Sequence, residues 1–263
     1  MAAAQDLLEH KINLQTRADG AMILTSGYAL GPVAANTGEW LHTWAKDAPD
    51  RVFLAERIDD SWREVTYGQA LTAVRSLAAG LLGMGLAPGD RVAILSGNSV
   101  DHGLLALATQ YVGIVSAPVA EQYSLIPEAR DRLAYIIDML KPKLLFVDDP
   151  ARYAAALDVE ETRAIPVLAS TLEGSPRAAT LFADLMAFPV SGDVDIAHAG
   201  VGPDTLAKVL FTSGSTAHPK GVCTTQRMMC VNQAQLAASM PFLTWQVPKI
   251  LDWLPWNHVF GGS

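Results

Sequence analysis

Leu210-Phe211-Thr212-Ser213-Gly214-Ser215-Thr216-Ala217-His218-Pro219-Lys220-Gly221-Val222 is a hydroxyl- and glycine-rich loop set directly after an apolar run. Such a loop can wrap a polyphosphate. Its backbone N–H groups and the hydroxyls of Thr212, Ser213, Ser215 and Thr216 are neutral donors, and Lys220 adds a positive charge. Gly214 and Gly221 permit positive φ and a close approach of backbone to ligand. The order is not that of a Walker A loop, which needs Gly-Lys-Ser/Thr, because Gly-Val follows the lysine here. A polar surface turn would share the composition but has no reason to place Pro-Lys-Gly at this offset. Ser213 and Ser215 lack the Gly-x-Ser-x-Gly elbow of a serine nucleophile.

Outward from the loop, 206–211 reads as the strand that feeds it and 222–224 as the strand that leaves it, with a helix over 226–240. Upstream, Asn36 or Thr37 caps a helix from 39, and 51–57 with 62–65 form a hairpin around Asp59-Asp60-Ser61. Thr66 and Gln69 fit a capping box, and the apolar series Ala70, Leu71, Val74, Leu77, Ala78, Leu81 and Leu82 lies on one helical face. Gly83 and Gly85 end that helix. Pro88-Gly89-Asp90 turns into a strand at 91–95. Asn98 or Ser99 caps a helix through Tyr111, and strands follow at 114–118 and 144–147 around a helix over 127–139. Residues 1–38 give no clear assignment, and 150–190 continue the alternation weakly.

Unbroken apolar strands alternating with helices imply an α/β fold, a mostly parallel sheet flanked by helices on both faces. The stretch 191–204 is polar, glycine-rich and aperiodic. It reads as the connection between a first lobe, 1–190, and a second lobe that opens at 191–263 with the phosphate loop.

The chain has 263 residues, of which 50% are hydrophobic, so a sizeable core is available. A net charge of −8 with no lysine/arginine cluster excludes a nucleic-acid binder. Two cysteines, Cys223 and Cys230, give no disulfide framework and no metal spacing, and both are expected to be buried thiols. The longest apolar stretch, 104–119, is interrupted and too short to cross a bilayer. No secretory signal is visible, so the expected setting is cytoplasmic.

Thr212 to Gly221 resembles the phosphate-binding loop of the adenylate-forming enzymes, the acyl- and aryl-CoA ligase superfamily, whose pattern is Thr-Ser-Gly-Ser-Thr-Gly-x-Pro-Lys-Gly. Only Ala217 departs from it. Thr66-Tyr67-Gly68 and Gly89-Asp90-Arg91-Val92-Ala93 are similar to that family's N-terminal region. Leu254-Pro255-Trp256-Asn257-His258-Val259-Phe260-Gly261 resembles its Leu-Pro-x-x-His-x-x-Gly segment. The resemblance implies the N-terminal part of the large domain of an adenylate-forming enzyme. It implies ATP, Mg²⁺ and CoA as ligands and a carboxylic acid as substrate. Thr212, Ser213, Gly214, Ser215, Thr216, Lys220 and Gly221 would bind the nucleotide, Thr216 would also approach Mg²⁺, and Lys220 and His258 would be catalytic.

His258 would sit near the acid's carboxylate, where a neutral imidazole can donate a hydrogen bond. Packing between two tryptophans is its other reading. Thr225-Gln226-Arg227-Met228 and the tryptophan-rich Asp252 to His258 resemble the branch of aryl-CoA ligases that includes feruloyl-CoA synthase, which implies an aromatic acid. A fatty-acid or amino-acid adenylating enzyme, and a non-catalytic relative acting as a binding module, are the alternatives. The family's adenine pocket and small C-terminal domain lie downstream, so 1–263 is expected to be a fragment, inactive alone.

Overall fold

The alternation of short apolar runs with helices builds one seven-stranded sheet and two separate hairpins. The computed structural model describes residues 9–212, 218–245, 247–259, 261 and 262. The chain opens with a hairpin, β1 (Ile12–Thr16) and β2 (Met22–Ser26). Its signal, unread in the sequence, is Asp19-Gly20, a turn pair whose glycine takes φ 83°. α1 (Thr37–Asp47) starts at Asn36, whose side chain accepts from the Glu39 N–H. β3 (Val52–Ile58) and β4 (Ser61–Thr66) form the expected hairpin.

α2 (Tyr67–Gly83) carries the capping box in full: Thr66 Oγ1 accepts from Gln69 N at 3.3 Å and Gln69 Oε1 from Thr66 N at 2.9 Å. β5 (Arg91–Leu95), α3 (Val100–Tyr111, capped by Ser99) and β6 (Val115–Pro118) follow. A short α4 (Glu121–Leu125), absent from the sequence reading, precedes α5 (Arg130–Leu140) and β7 (Leu144–Val147). The weakly patterned middle contains α6 (Ala154–Leu157), α7 (Glu160–Arg163), β8 (Val167–Ala169), β9 (Thr180–Leu181) and α8 (Phe182–Met186).

The stretch 191–204, expected to be irregular, contains α9 (Gly192–Ala199). Tertiary contact overrides its poor propensity: Val194 is fully buried and His198 Nδ1 lies 2.9 Å from the Tyr111 carbonyl. β10 (Leu206–Thr212), β11 (Lys220–Thr225), α10 (Gln226–Ser239) and α11 (Phe242–Trp245) complete the elements.

The strand order is β11-β10-β6-β5-β7-β8-β9, with every neighbouring pair parallel except β10–β11. Strands on both sides of residue 190 therefore share one sheet. The stretch β6-β5-β7-β8-β9 has the doubly wound order in which the chain switches sides at its first strand. Side chains alternate between faces: Val92, Ile94, Leu144 and Phe146 enter one core with α2 and α3, while Ala93, Leu95, Val209 and Phe211 enter the other with α5. Each large side chain buried in these cores contributes roughly 1.5–3 kcal/mol. At the carboxyl ends of the strands lie Ser96-Gly97-Asn98 after β5, Ala120-Glu121 after β6, Asp148 after β7 and the loop after β10.

Candidate phosphate-binding site

β10 and β11 hold the loop as a hairpin whose last pair is Thr212 opposite Lys220. Thr212 is half-buried and the Lys220 side chain is exposed. The loop thus opens at the carboxyl end of a mostly parallel sheet, where open α/β sheets bind ligands. Gly221 does not use positive φ, contrary to the expectation. It is a strand residue facing Phe211, and a Cβ there would lie 3.1 Å from Val209 Cγ1, so its small size is what the packing needs. The His218 ring stacks on Tyr135, with centroids 4.5 Å apart. Ser213, Gly214, Ser215, Thr216 and Ala217 lie outside the described residues.

Charge supports an anion here. Between Asp204 and Asp252 the sequence carries no acidic residue, yet it carries Lys208, Lys220, Arg227 and Lys249. In a chain of net charge −8 this is a local reversal of sign. Hydroxyl, amide and ammonium donors are the groups from which phosphate oxygens accept. They do not fit a metal by themselves, since among the described residues no three His, Cys, Asp or Glu side chains gather to hold an ion.

The segment that carries His258 is tied to the same end of the sheet. Asn98 Nδ2 donates to the Leu254 carbonyl at 2.7 Å, and Asn98 Oδ1 accepts from the Trp256 N–H at 2.9 Å. Trp256 Nε1 donates to Asp252 at 2.7 Å, and its ring lies edge to face on His102. The His258 N–H donates to Pro255, and the His258 carbonyl accepts from the amides of Gly261 and Gly262 at 3.1 and 2.8 Å. Lys208, in the middle of β10, donates to the Gly262 carbonyl. His258 is exposed, and Trp253 is 82% exposed.

Burial sets the local electrostatics. Lys208 is 8% exposed, and loss of hydration brings its pKa down to about 8. His102 is 2% exposed, and burial, opposed in part by a hydrogen bond to the Gly97 carbonyl, brings it down to about 4. It is therefore a neutral ring at neutral pH. Arg63 braces the start of α3, donating to Glu56 at 3.0 Å and to Asp101 at 2.6 Å, while Ser170 donates to Asp101 at 2.7 Å.

Asn98 was read only as one of two candidate helix caps, a place that Ser99 takes, and His102 and Lys208 went unassigned in the sequence. Lys208 had a usable signal, a charge in the middle of an apolar strand. Asn98 had none, because its partners lie more than 150 residues away in sequence. Gln226 is wholly buried, accepting from Thr37 N at 3.0 Å and donating to the Gln110 carbonyl at 3.3 Å. Its place in the wording after the loop therefore reports the docking of α1 on α3 and α10. Cys230 is buried as expected, but Cys223 is exposed, because β11 is an edge strand.

Residues 41–263 match the model of the AMP-binding enzyme family. The chain is 27% identical over 217 residues to the long-chain-fatty-acid–CoA ligase FadD15 of Mycobacterium bovis, covering 81% of this chain and 35% of that protein. It is 26% identical over 231 residues to the sulfoacetate–CoA ligase of Cupriavidus necator, covering 87% of this chain and 40% of that protein. In fold it is similar to the adenylation domain of a keto acid-selecting NRPS module, with a TM-score of 0.68 at 19% identity, covering 89% of this chain and 39% of that one. The chain spans 35% and 40% of the length of these two ligases.

Proposed function

Because the chain belongs to the AMP-binding enzyme family, we propose that it supplies the phosphate-gripping part of an enzyme that activates a carboxylic acid as an acyl-adenylate and passes the acyl group to the thiol of CoA. The observation that carries this reading is the pairing of Thr212 with Lys220 across a hairpin at the carboxyl end of the sheet, within a stretch free of carboxylates.

As the acid's carboxylate oxygen attacks the α-phosphorus of ATP, the bond to pyrophosphate breaks and charge grows on the departing oxygens. Lys220 and the loop donors lower that barrier by facing those oxygens before the reaction starts. Thr216 would be a contact for Mg²⁺, which would supply further screening of the same charge. His258 donates a hydrogen bond to the carboxylate and holds it in line. In the second step the CoA thiol displaces AMP.

The acid's class is a finer proposal. The relatives named above act on long-chain fatty acids and sulfoacetate, so they do not favour an aromatic acid. The feruloyl-like reading rests on the tryptophan-rich segment 252–258. In the complete protein 191–263 would open a second lobe, and the enzyme would work in the cytoplasm. Because the chain covers about a third of its relatives, residues 1–263 alone are proposed to be inactive.

The test is ATP–pyrophosphate exchange by the complete protein with cinnamic, fatty and amino acids in turn. Exchange should appear with one class, and Lys220→Ala should slow it by roughly a hundredfold or more. Absence of exchange with every acid, or an unaltered Lys220→Ala enzyme, would remove the reading.

A further inference from the structure

Lys208 sits where a strand wants an apolar side chain. Its neighbours Ala207, Val209, Leu210 and Phe211 are buried, and Lys208 is itself 8% exposed. Among the described residues it has no carboxylate partner, and burial alone accounts for its lowered pKa of about 8. A buried ammonium whose acceptor among the described residues is a carbonyl works against folding, and an apolar residue of similar volume is commonly neutral or stabilising at such a place. The fold therefore gives no reason for a lysine here.

The Gly262 carbonyl does. Lys208 donates to the Gly262 carbonyl, and the Gly262 N–H donates to the His258 carbonyl at 2.8 Å. Only the tight turn 258–262 separates the ammonium from the backbone of His258. Asn98 fixes the other side of the same segment at Leu254 and Trp256. With both anchors in place, the exposed imidazole projects from a stretch pinned on either side.

The geometry points to Lys208 as a positioning residue for His258: its ammonium holds the turn 258–262 on β10, fixing where the imidazole meets the acid's carboxylate. This rests on the adenylation reading above. As a positioning residue Lys208 would act through the Gly262 backbone and not on the acid or the nucleotide. It links the strand that ends in the phosphate loop to the segment that orients the acid, so both halves of the reaction are referred to one backbone.

The experiment compares wild type, Lys208→Met and Lys208→Arg in the complete protein. In Lys208→Met the KM for the acid should rise about tenfold and kcat should fall, while the KM for ATP stays within roughly twofold. Lys208→Arg, which keeps a donor, should recover most of the loss, and the melting temperature of Lys208→Met should not fall. Amides of 258–262 should exchange with deuterium about tenfold faster in Lys208→Met than in wild type. An unchanged acid KM would overturn the proposal. So would a loss that tracks a lowered melting temperature and is not rescued by arginine. A wild type inactive with every acid would sink the adenylation reading instead, and the exchange comparison would still decide the tether, with equal rates overturning it.

Discussion

His102 of α3 and Trp256 meet edge to face, their ring centroids 5.3 Å apart and their planes at 82°. A ring from the first βα unit thus supports the segment that carries His258. Gly103 leaves room for it, since a Cβ at 103 would lie 3.3 Å from Trp256 Cζ3. Trp256→Ala should remove this contact, worth roughly 0.5–1.5 kcal/mol beyond the area it buries. Amide exchange over 254–262 should quicken while that of β5 and β7 is unchanged. Equal exchange in both regions would show that the contact holds nothing in place.

Asn98→Ala should loosen the same segment by another route. It deletes the donor to Leu254 and the acceptor from Trp256, each bond being worth roughly 0.5–1.5 kcal/mol. Because the Asn98 amide and the Trp256 ring hold the same segment 254–256 from two sides, the double variant Asn98→Ala/Trp256→Ala should cost less than the sum of the single ones. Urea midpoints of the four proteins give the coupling, and strict additivity would contradict the clamp.

The burial of His102 fixes the sign of a pH effect. Its pKa is about 4 folded and near 6.5 unfolded, so between those values the unfolded chain holds a proton that the folded one does not. This contribution is fully present above pH 6.5 and is lost as pH falls towards 4. The span corresponds to about 3 kcal/mol at most. Urea unfolding from pH 7 to 4 should show that decline, and His102→Asn should flatten it. A variant that keeps the wild-type slope would assign the acid sensitivity elsewhere.

Arg63→Met should destabilise through what it leaves behind. Asp101, whose side chain is 10% exposed, would lose its charged partner and keep only Ser170. Stranding a carboxylate that deep costs on the order of 2–4 kcal/mol, reduced here because Arg63 is itself partly exposed to solvent. Adding Asp101→Asn should restore part of the loss by removing the charge. Thermal melts of the three proteins decide, and no recovery in the double variant would count against a charge origin.

Local signals carried most of the fold. Thr66 and Gln69 cap α2 as their spacing says, and the strands at 91–95, 144–147 and 206–212 declare themselves as apolar runs because both faces of a covered parallel sheet are dry. What escaped was set by distant contacts. α9 is held by Val194 in the core and by His198 against Tyr111, neither of which its glycine- and aspartate-rich wording announces. The candidates Lys220 and His258 were legible through motif spacing. The contacts of Asn98 and Lys208 were not, because they form only when 254–262 folds back beside β5 and β10.

The unequal setting of the two thiols offers a handle on the loop. Cys230 is fully buried while Cys223 stands exposed on β11, three positions beyond Lys220. On residues 1–263 a maleimide dye should therefore attach to Cys223 and spare Cys230. Its emission would follow the hairpin as nucleotide arrives, turning an edge strand into a built-in reporter.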